Sequence, residues 1–235
     1  MKKKVIIISI ISLLVILSII ALLQYFLVYL PNKKEKEKWQ EIFQQHYNNR
    51  IALFEKENKT VHDVDIVFVG DSITEGYDLN YFYQEYTALN RGIGGDTTFG
   101  VEKRLQVSIY DVKPKVVVML IGANNFDTML ENYEDILISL KENLPETEIV
   151  ILSLTAMSKD WGRNNHKAIE NNKTIKDLAS KYNYTFIDLY NPLIDPNTNQ
   201  LYESYSEDGG HPNQLGYTKI TNIIKPVLDE ILSKK

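Results

Sequence analysis

No residue from 5 to 30 carries a charge, and the run of Ile, Leu, Val, Phe and Tyr there is broken only by Ser9, Ser12, Ser18, Ala21 and Gln24. At ~1.5 Å rise per residue such a helix spans roughly 39 Å, more than the ~30 Å hydrocarbon layer of a bilayer. The unbroken length argues against a buried core helix and predicts a transmembrane anchor over residues 1–32. A cleaved signal peptide has a shorter apolar region ending at small residues, whereas this run exits through Tyr29-Leu30-Pro31-Asn32. Lys2, Lys3 and Lys4 precede the span and Lys33, Lys34, Lys36 and Lys38 follow it, a nearly even contest under the positive-inside rule. We read the short tail as inside and the long remainder as extracellular, a single-pass protein.

Beyond residue 38 the chain holds 19 Lys and Arg against 29 Asp and Glu, a net charge near −10. That balance repels polyanions and argues against nucleic acid as a partner. The chain has no cysteine, which excludes disulfides, thiolate catalysis and Cys-ligated metal sites. Slightly under 200 residues is a normal size for one α/β domain with its own core.

Residues 33–62 form a charged segment whose apolar positions, Trp39, Ile42, Phe43, Ile51 and Phe54 among them, recur at helical spacing. It reads as a helical linker packing one face on the domain, which then occupies 63–235. Short β-rich runs follow at 64–69, 116–121, 149–154 and 185–189, with a weaker one around 88–90. Helical patterns fall near 97–110, 132–143, 165–181 and 213–233. Continuously apolar strands alternating with helices predict a doubly wound, flavodoxin-like parallel sheet of about five strands with helices on both faces.

In such sheets reactive groups sit on loops beyond the carboxyl ends of the strands. The first strand runs into Gly70-Asp71-Ser72-Ile73-Thr74, a strand-to-helix turn, and the weak strand into Asn90-Arg91-Gly92-Ile93-Gly94-Gly95-Asp96. The next ends in Gly122-Ala123-Asn124-Asn125, and Asp208-Gly209-Gly210-His211-Pro212 stands before the last helix. A serine hydroxyl needs an imidazole to take its proton, and the imidazole needs an acceptor to fix its tautomer. Ser72, His211 and Asp208 fit those roles. The tetrahedral oxyanion needs preorganised donors, which the Ser72 and Gly95 N–H groups and the Asn124 side chain would supply.

These blocks, in this order, resemble the SGNH (GDSL-like) hydrolases, and Gly92-Ile93-Gly94-Gly95-Asp96-Thr97-Thr98 is especially similar to the catalytic subunits of platelet-activating-factor acetylhydrolases. The resemblance runs from about residue 64 to 232. It implies Ser72 as nucleophile, Gly95 and Asn124 as oxyanion residues, Asp208 as orienting acid and His211 as base. Many relatives carry Thr and Asp where this chain has Ala123 and Asn125, and a bulkier apolar residue at Gly210.

Gly-Asp-Ser by itself is ordinary turn chemistry, and the weight rests on all four blocks occurring together. Asp71 reads as a turn acceptor, and Asp96, Thr97 and Thr98 as helix caps. His62 lies before the first strand, at the opposite sheet edge from Ser72; His46 sits on the linker helix at a surface or packing position. Trp161 and His166 are candidate substrate contacts because their loop lies at the reactive edge. The glycine run lacks a following Gly-Lys-Ser/Thr, so it is not a nucleotide loop, and neither metal nor cofactor is expected. The expected activity is a serine esterase or acylhydrolase cleaving a small O-acyl ester, an acetyl group for example, of a carbohydrate or lipid. Acyl transfer by the same residues and a non-catalytic binding module on the same fold are the alternatives.

Overall fold

Strands that are apolar at every position need cover on both faces, and the computed structural model, which describes residues 13–14, 16–158, 161 and 165–235, supplies it. After helix α1 (Leu30–Asn58) the chain alternates β1 (Ile66–Gly70), α2 (Ser72–Glu75), β2 (Ala88–Gly92) and α3 (Thr98–Lys103). Then come β3 (Val116–Leu120), α4 (Tyr133–Asn143), β4 (Glu148–Leu152), α5 (Asn165–Tyr182), β5 (Thr185–Ile187) and α6 (Gln214–Leu232). The five strands form one sheet in the order β2-β1-β3-β4-β5, every pair parallel.

Alternate side chains of each strand enter opposite cores. Val67, Val69, Val117, Met119, Ile149 and Ile151 pack with Ile136, Leu137 and Leu140 of α4 and Ala168, Ile175 and Ala179 of α5. Ile66, Phe68, Val118, Leu120, Val150 and Leu152 pack with Ile220, Ile224 and Leu228 of α6. Tyr217, Ile220, Ile224 and Leu228 recur every three or four residues, so they present one apolar stripe of α6 to the sheet.

Register decides where the loops emerge. Gly70 pairs with Gly92 on one side and with Leu120 on the other, so β1, β2 and β3 end level with one another. The segments that follow them leave the sheet along one edge.

The helix expected over 97–110 is broken. α3 stops at Lys103, and Gln106–Tyr110 forms a π-helical turn. Between them Arg104 leaves helical geometry with φ −114°, and its guanidinium is buried against the strand ends described below. Residues 194–201 add a two-stranded hairpin, Ile194–Asp195 with Gln200–Leu201.

Two compact units divide at Gln45/His46. In the first, every described residue from 13 to 29 is exposed. Among the described residues one helix, Ile16–Asn58, is long and apolar enough to cross a membrane. Residues 5–12 and 15 of the apolar run lie outside the described residues. In the second unit, residues 46–58 cover the β2 edge of the sheet. Arg50 donates to the carbonyls of Asn90 and Gly92, and Arg91 pairs with Glu57 and Asn58. Phe54 is fully buried, with the Arg91 guanidinium 4.6 Å from its ring centroid. Strand carbonyls that would otherwise template another chain are satisfied in this way.

Candidate active site

The Ser72 turn is built from its own residues. The Asp71 side chain accepts from Ile73 N–H at 3.1 Å, as expected of a turn acceptor, and so caps the short helix. Glycine is required on the neighbouring strand, because a Cβ at Gly92 would lie 2.1 Å from the backbone nitrogen of Glu75. From the α6 side, the Tyr217 hydroxyl donates to the carbonyl of Ile73 at 2.8 Å. Its ring stacks on Tyr77 at 4.9 Å between centroids. Burial pushes the Tyr77 hydroxyl up to about 12, against hydrogen bonds with Thr221 and Tyr83 that pull it down. Tyr77 and Tyr83 are therefore core and tie the turn to the helix that follows His211, whereas Tyr81 is exposed.

Although 139 positions apart in sequence, the Ser72 and His211 side chains meet, with Oγ 2.9 Å from Nε2. The other ring nitrogen, Nδ1, is 2.7 Å from Asp208 Oδ2. Asp208 is itself fixed, because its Oδ1 accepts from the N–H groups of Gly210 and His211 and from the Ser206 hydroxyl. Partial burial works to raise this carboxyl, and the bonds from the His211 ring, the two N–H groups and Ser206 together overcome it. The acid is held well below the usual carboxylate range.

The glycine turn closes against the same serine. A Cβ built on Gly94 would stand 3.9 Å from Ser72 Cβ and 3.7 Å from His46 Nε2. Within the turn, Gly92 N–H donates to Asn90 Oδ1, Ile93 N–H to the carbonyl of Gly70, Gly94 N–H to Glu75 Oε2 and Asp96 N–H to the carbonyl of Ile93. Among the described residues nothing accepts the N–H of Gly95, which sits at φ +78°, in the left-handed region that glycine tolerates. Asn124 joins this turn by donating Nδ2 to the carbonyl of Asp96 at 2.9 Å.

Behind the turn lies a buried ion pair. Arg104 Nε donates to Asp96 Oδ2 at 2.8 Å, and the same guanidinium reaches the carbonyls of Arg91 and Gly70 and the Ser108 hydroxyl. Burial pushes the Asp96 carboxyl up, against the pull of Arg104. Asp96 is thus an anchor for the loop, and the helix cap belongs to Thr97, whose side chain accepts from Gly100 N–H. Asn125, where many relatives carry Asp, donates to Thr98 Oγ1 at 2.9 Å and so joins two of the site's loops.

Trp161 packs edge-on against His211 with centroids 4.8 Å apart and donates Nε1 to the carbonyl of Asp208. A Cβ at Gly210 would lie 2.3 Å from Cε2 of this indole, which explains the missing bulk at Gly210: tryptophan fills the space. His166 is on the surface of α5, its side chain 79% exposed and 3.5 Å from Glu170 one turn on. Sequence reasoning placed His46 at a surface or packing position; the structure sets it beside Gly94, with Nε2 2.9 Å from Glu75 Oε2. Glu75 and Arg104 were missed as site-building residues, because both act through partners distant in the chain. No group of three or more potential metal ligands occurs among the described residues.

A serine hydroxyl in contact with an imidazole, itself in contact with a carboxylate, can attack an acyl carbon. The model of the GDSL-like lipase/acylhydrolase family matches residues 68–219. The platelet-activating factor acetylhydrolase IB subunit alpha2 of Rattus norvegicus is 26% identical over 201 residues, covering 80% of this chain and 84% of the relative. The Homo sapiens protein of the same name is 34% identical over 116 residues, 46% of this chain and 49% of that one. A solved Streptococcus pneumonia structure named for platelet activating factor superposes with a TM-score of 0.78 at 26% identity, covering 83% of this chain and 99% of its own. A GDSL-like lipase from Bacteroides thetaiotaomicron shares the fold, with a TM-score of 0.69 at 22% identity over 77% of this chain and 97% of that one. Since the family match begins within β1, ends within α6 and takes in all four sequence blocks from Gly70 to Pro212, the chain belongs to the GDSL-like lipase/acylhydrolase family and is a hydrolase of carboxylic esters.

Proposed function

We propose that this enzyme removes a small O-acyl group, acetyl for example, from a carbohydrate or lipid through an acyl-Ser72 intermediate. The observation that carries the reading is the continuous contact from Ser72 Oγ to His211 Nε2 and from Nδ1 to Asp208. As Oγ bonds to the acyl carbon, its proton passes to Nε2, and the imidazolium then gives that proton to the departing alkoxide. Water repeats the sequence on the acyl-serine and releases the acid. Asp208 stays ionised and holds the ring with Nδ1–H toward it. The N–H groups of Ser72 and Gly95 and the Asn124 amide stabilise the oxyanion, a contribution of roughly 3 kcal/mol per donor. A short acyl group is supported by the curated relatives, which are named acetylhydrolases. The full-length chain in detergent should hydrolyse p-nitrophenyl acetate, and Ser72→Ala should lower kcat by a factor of about a thousand or more. Full activity in the Ser72→Ala protein would remove the basis of the reading.

The same proposal places residues 1–32 in the membrane as a single-pass anchor, 33–62 as a helical linker and the hydrolase domain over 63–235 outside the cell. Its support is the long apolar helix, none of whose described residues before Leu30 is buried. Alkaline carbonate extraction of membranes should leave the chain in the pellet; recovery in the supernatant contradicts the anchor.

A further inference from the structure

Glu75 closes the four-residue helix that Ser72 opens, and its carboxylate turns toward the glycine turn. Oε2 accepts the Gly94 N–H at 2.5 Å and contacts His46 Nε2 at 2.9 Å, while Oε1 is 3.5 Å from Arg50 Nε. Arg50, one turn beyond His46 on α1, also donates to the carbonyl of Gly92 at 2.9 and 3.0 Å. The turn is therefore held at Gly92 and Gly94, the two sides of Ile93, by one cluster of side chains. Gly95 follows immediately, with the turn's one N–H that no described residue accepts. The Asp96 N–H bond to the carbonyl of Ile93 closes the turn around the Gly94–Gly95 peptide from within, and the Glu75 cluster holds the same turn from outside. A lone carboxylate this close to a developing oxyanion would oppose it, and the Arg50 guanidinium offsets that charge.

We propose that Glu75 is a positioning residue for ester hydrolysis: its carboxylate, braced by His46 and Arg50, fixes the Gly94 peptide and so aims the Gly95 N–H at the oxyanion. The inference rests on the assignment of Gly95 as an oxyanion donor. Misdirecting one preorganised donor weakens transition-state binding while leaving ground-state binding nearly unchanged. Steady-state kinetics of the full-length enzyme on p-nitrophenyl acetate should therefore separate kcat from KM. Glu75→Ala is expected to lower kcat about tenfold to a hundredfold with KM within about twofold. Glu75→Gln keeps an acceptor at the same reach and is expected to hold kcat within about threefold of the parent. If the alanine variant does not fold, Glu75→Asp, one methylene short of Gly94, replaces it with the same kcat-only loss expected. A kcat within twofold for the shortened variants, an equal loss in Glu75→Gln, or a loss carried by KM overturns the proposal. Ser72→Ala measured alongside separates the two levels: if it is inactive, a null result at Glu75 sinks only this inference, and if it is active, the site itself is wrongly assigned.

Discussion

The Asp208 carboxylate accepts from two backbone N–H groups, a hydroxyl and an imidazole, more than is needed to orient one ring. Because its folded pKa is depressed, the stability it contributes is present above its ordinary value of 3.8 and is lost as pH falls through the folded value. The melting-temperature gap between the parent and Asp208→Asn should therefore shrink as pH falls below 3.8; a gap that widens there contradicts the assigned direction. The same variant should lose about a thousandfold or more in kcat on p-nitrophenyl acetate at neutral pH, since the wrong tautomer then faces Ser72. Arg104 answers to a different physics. It is 1% exposed and its partner Asp96 4%, so Arg104→Met leaves a buried carboxylate without its cation and should cost about 3–5 kcal/mol in urea unfolding. A loss below 1 kcal/mol would mean that the pair does not hold the turn. Ser72, Asp208 and His211 were legible in the sequence because each sits at a fixed place relative to a strand end or helix start. Arg104 and Glu75 were not, because the partners that tie them to the glycine turn and β1, Asp96, Gly70 and Gly94, lie 8 to 34 residues away and no local pattern marks the pairing.

At the scale of elements, strands β1, β3 and β4 were legible because buried parallel strands are apolar at every position, and that pattern survives without knowledge of the fold. The weak strand, Ala88–Gly92, is polar for a reason only the structure reveals: it is an edge, and Asn90, Arg91 and Gly92 are bonded to residues 50–58 and to the Ser72 helix. The last turns of α1 close the sheet at that edge. Phe54, fully buried beside Arg91, is the residue on which that closure depends. Phe54→Ala should destabilise the domain by about 3–5 kcal/mol in denaturant unfolding; a change under 1 kcal/mol would show that the helix only rests on the edge. The break at Arg104 within the expected 97–110 helix has the same origin, a tertiary demand overriding local propensity. The packing of Trp161 over Gly210 was equally hidden, because the two residues lie 49 positions apart.

At the scale of the molecule, a level sheet edge gathers Ser72, the glycine turn and the Asn124 loop, and the segment ahead of α6 returns His211 and Asp208 to them. The sequence carried this arrangement as an order of blocks. What it could not carry was distance, which the parallel register supplies. The central claim is that the Ser72 hydroxyl is activated by His211, and covalent labelling tests it without knowledge of the natural ester. Reacting the full-length protein with a fluorophosphonate and mapping the adduct by peptide mass spectrometry should place one label on Ser72, with the rate falling at least about a hundredfold in His211→Ala. Labelling of another residue, or an unchanged rate at Ser72 without the imidazole, would contradict the account.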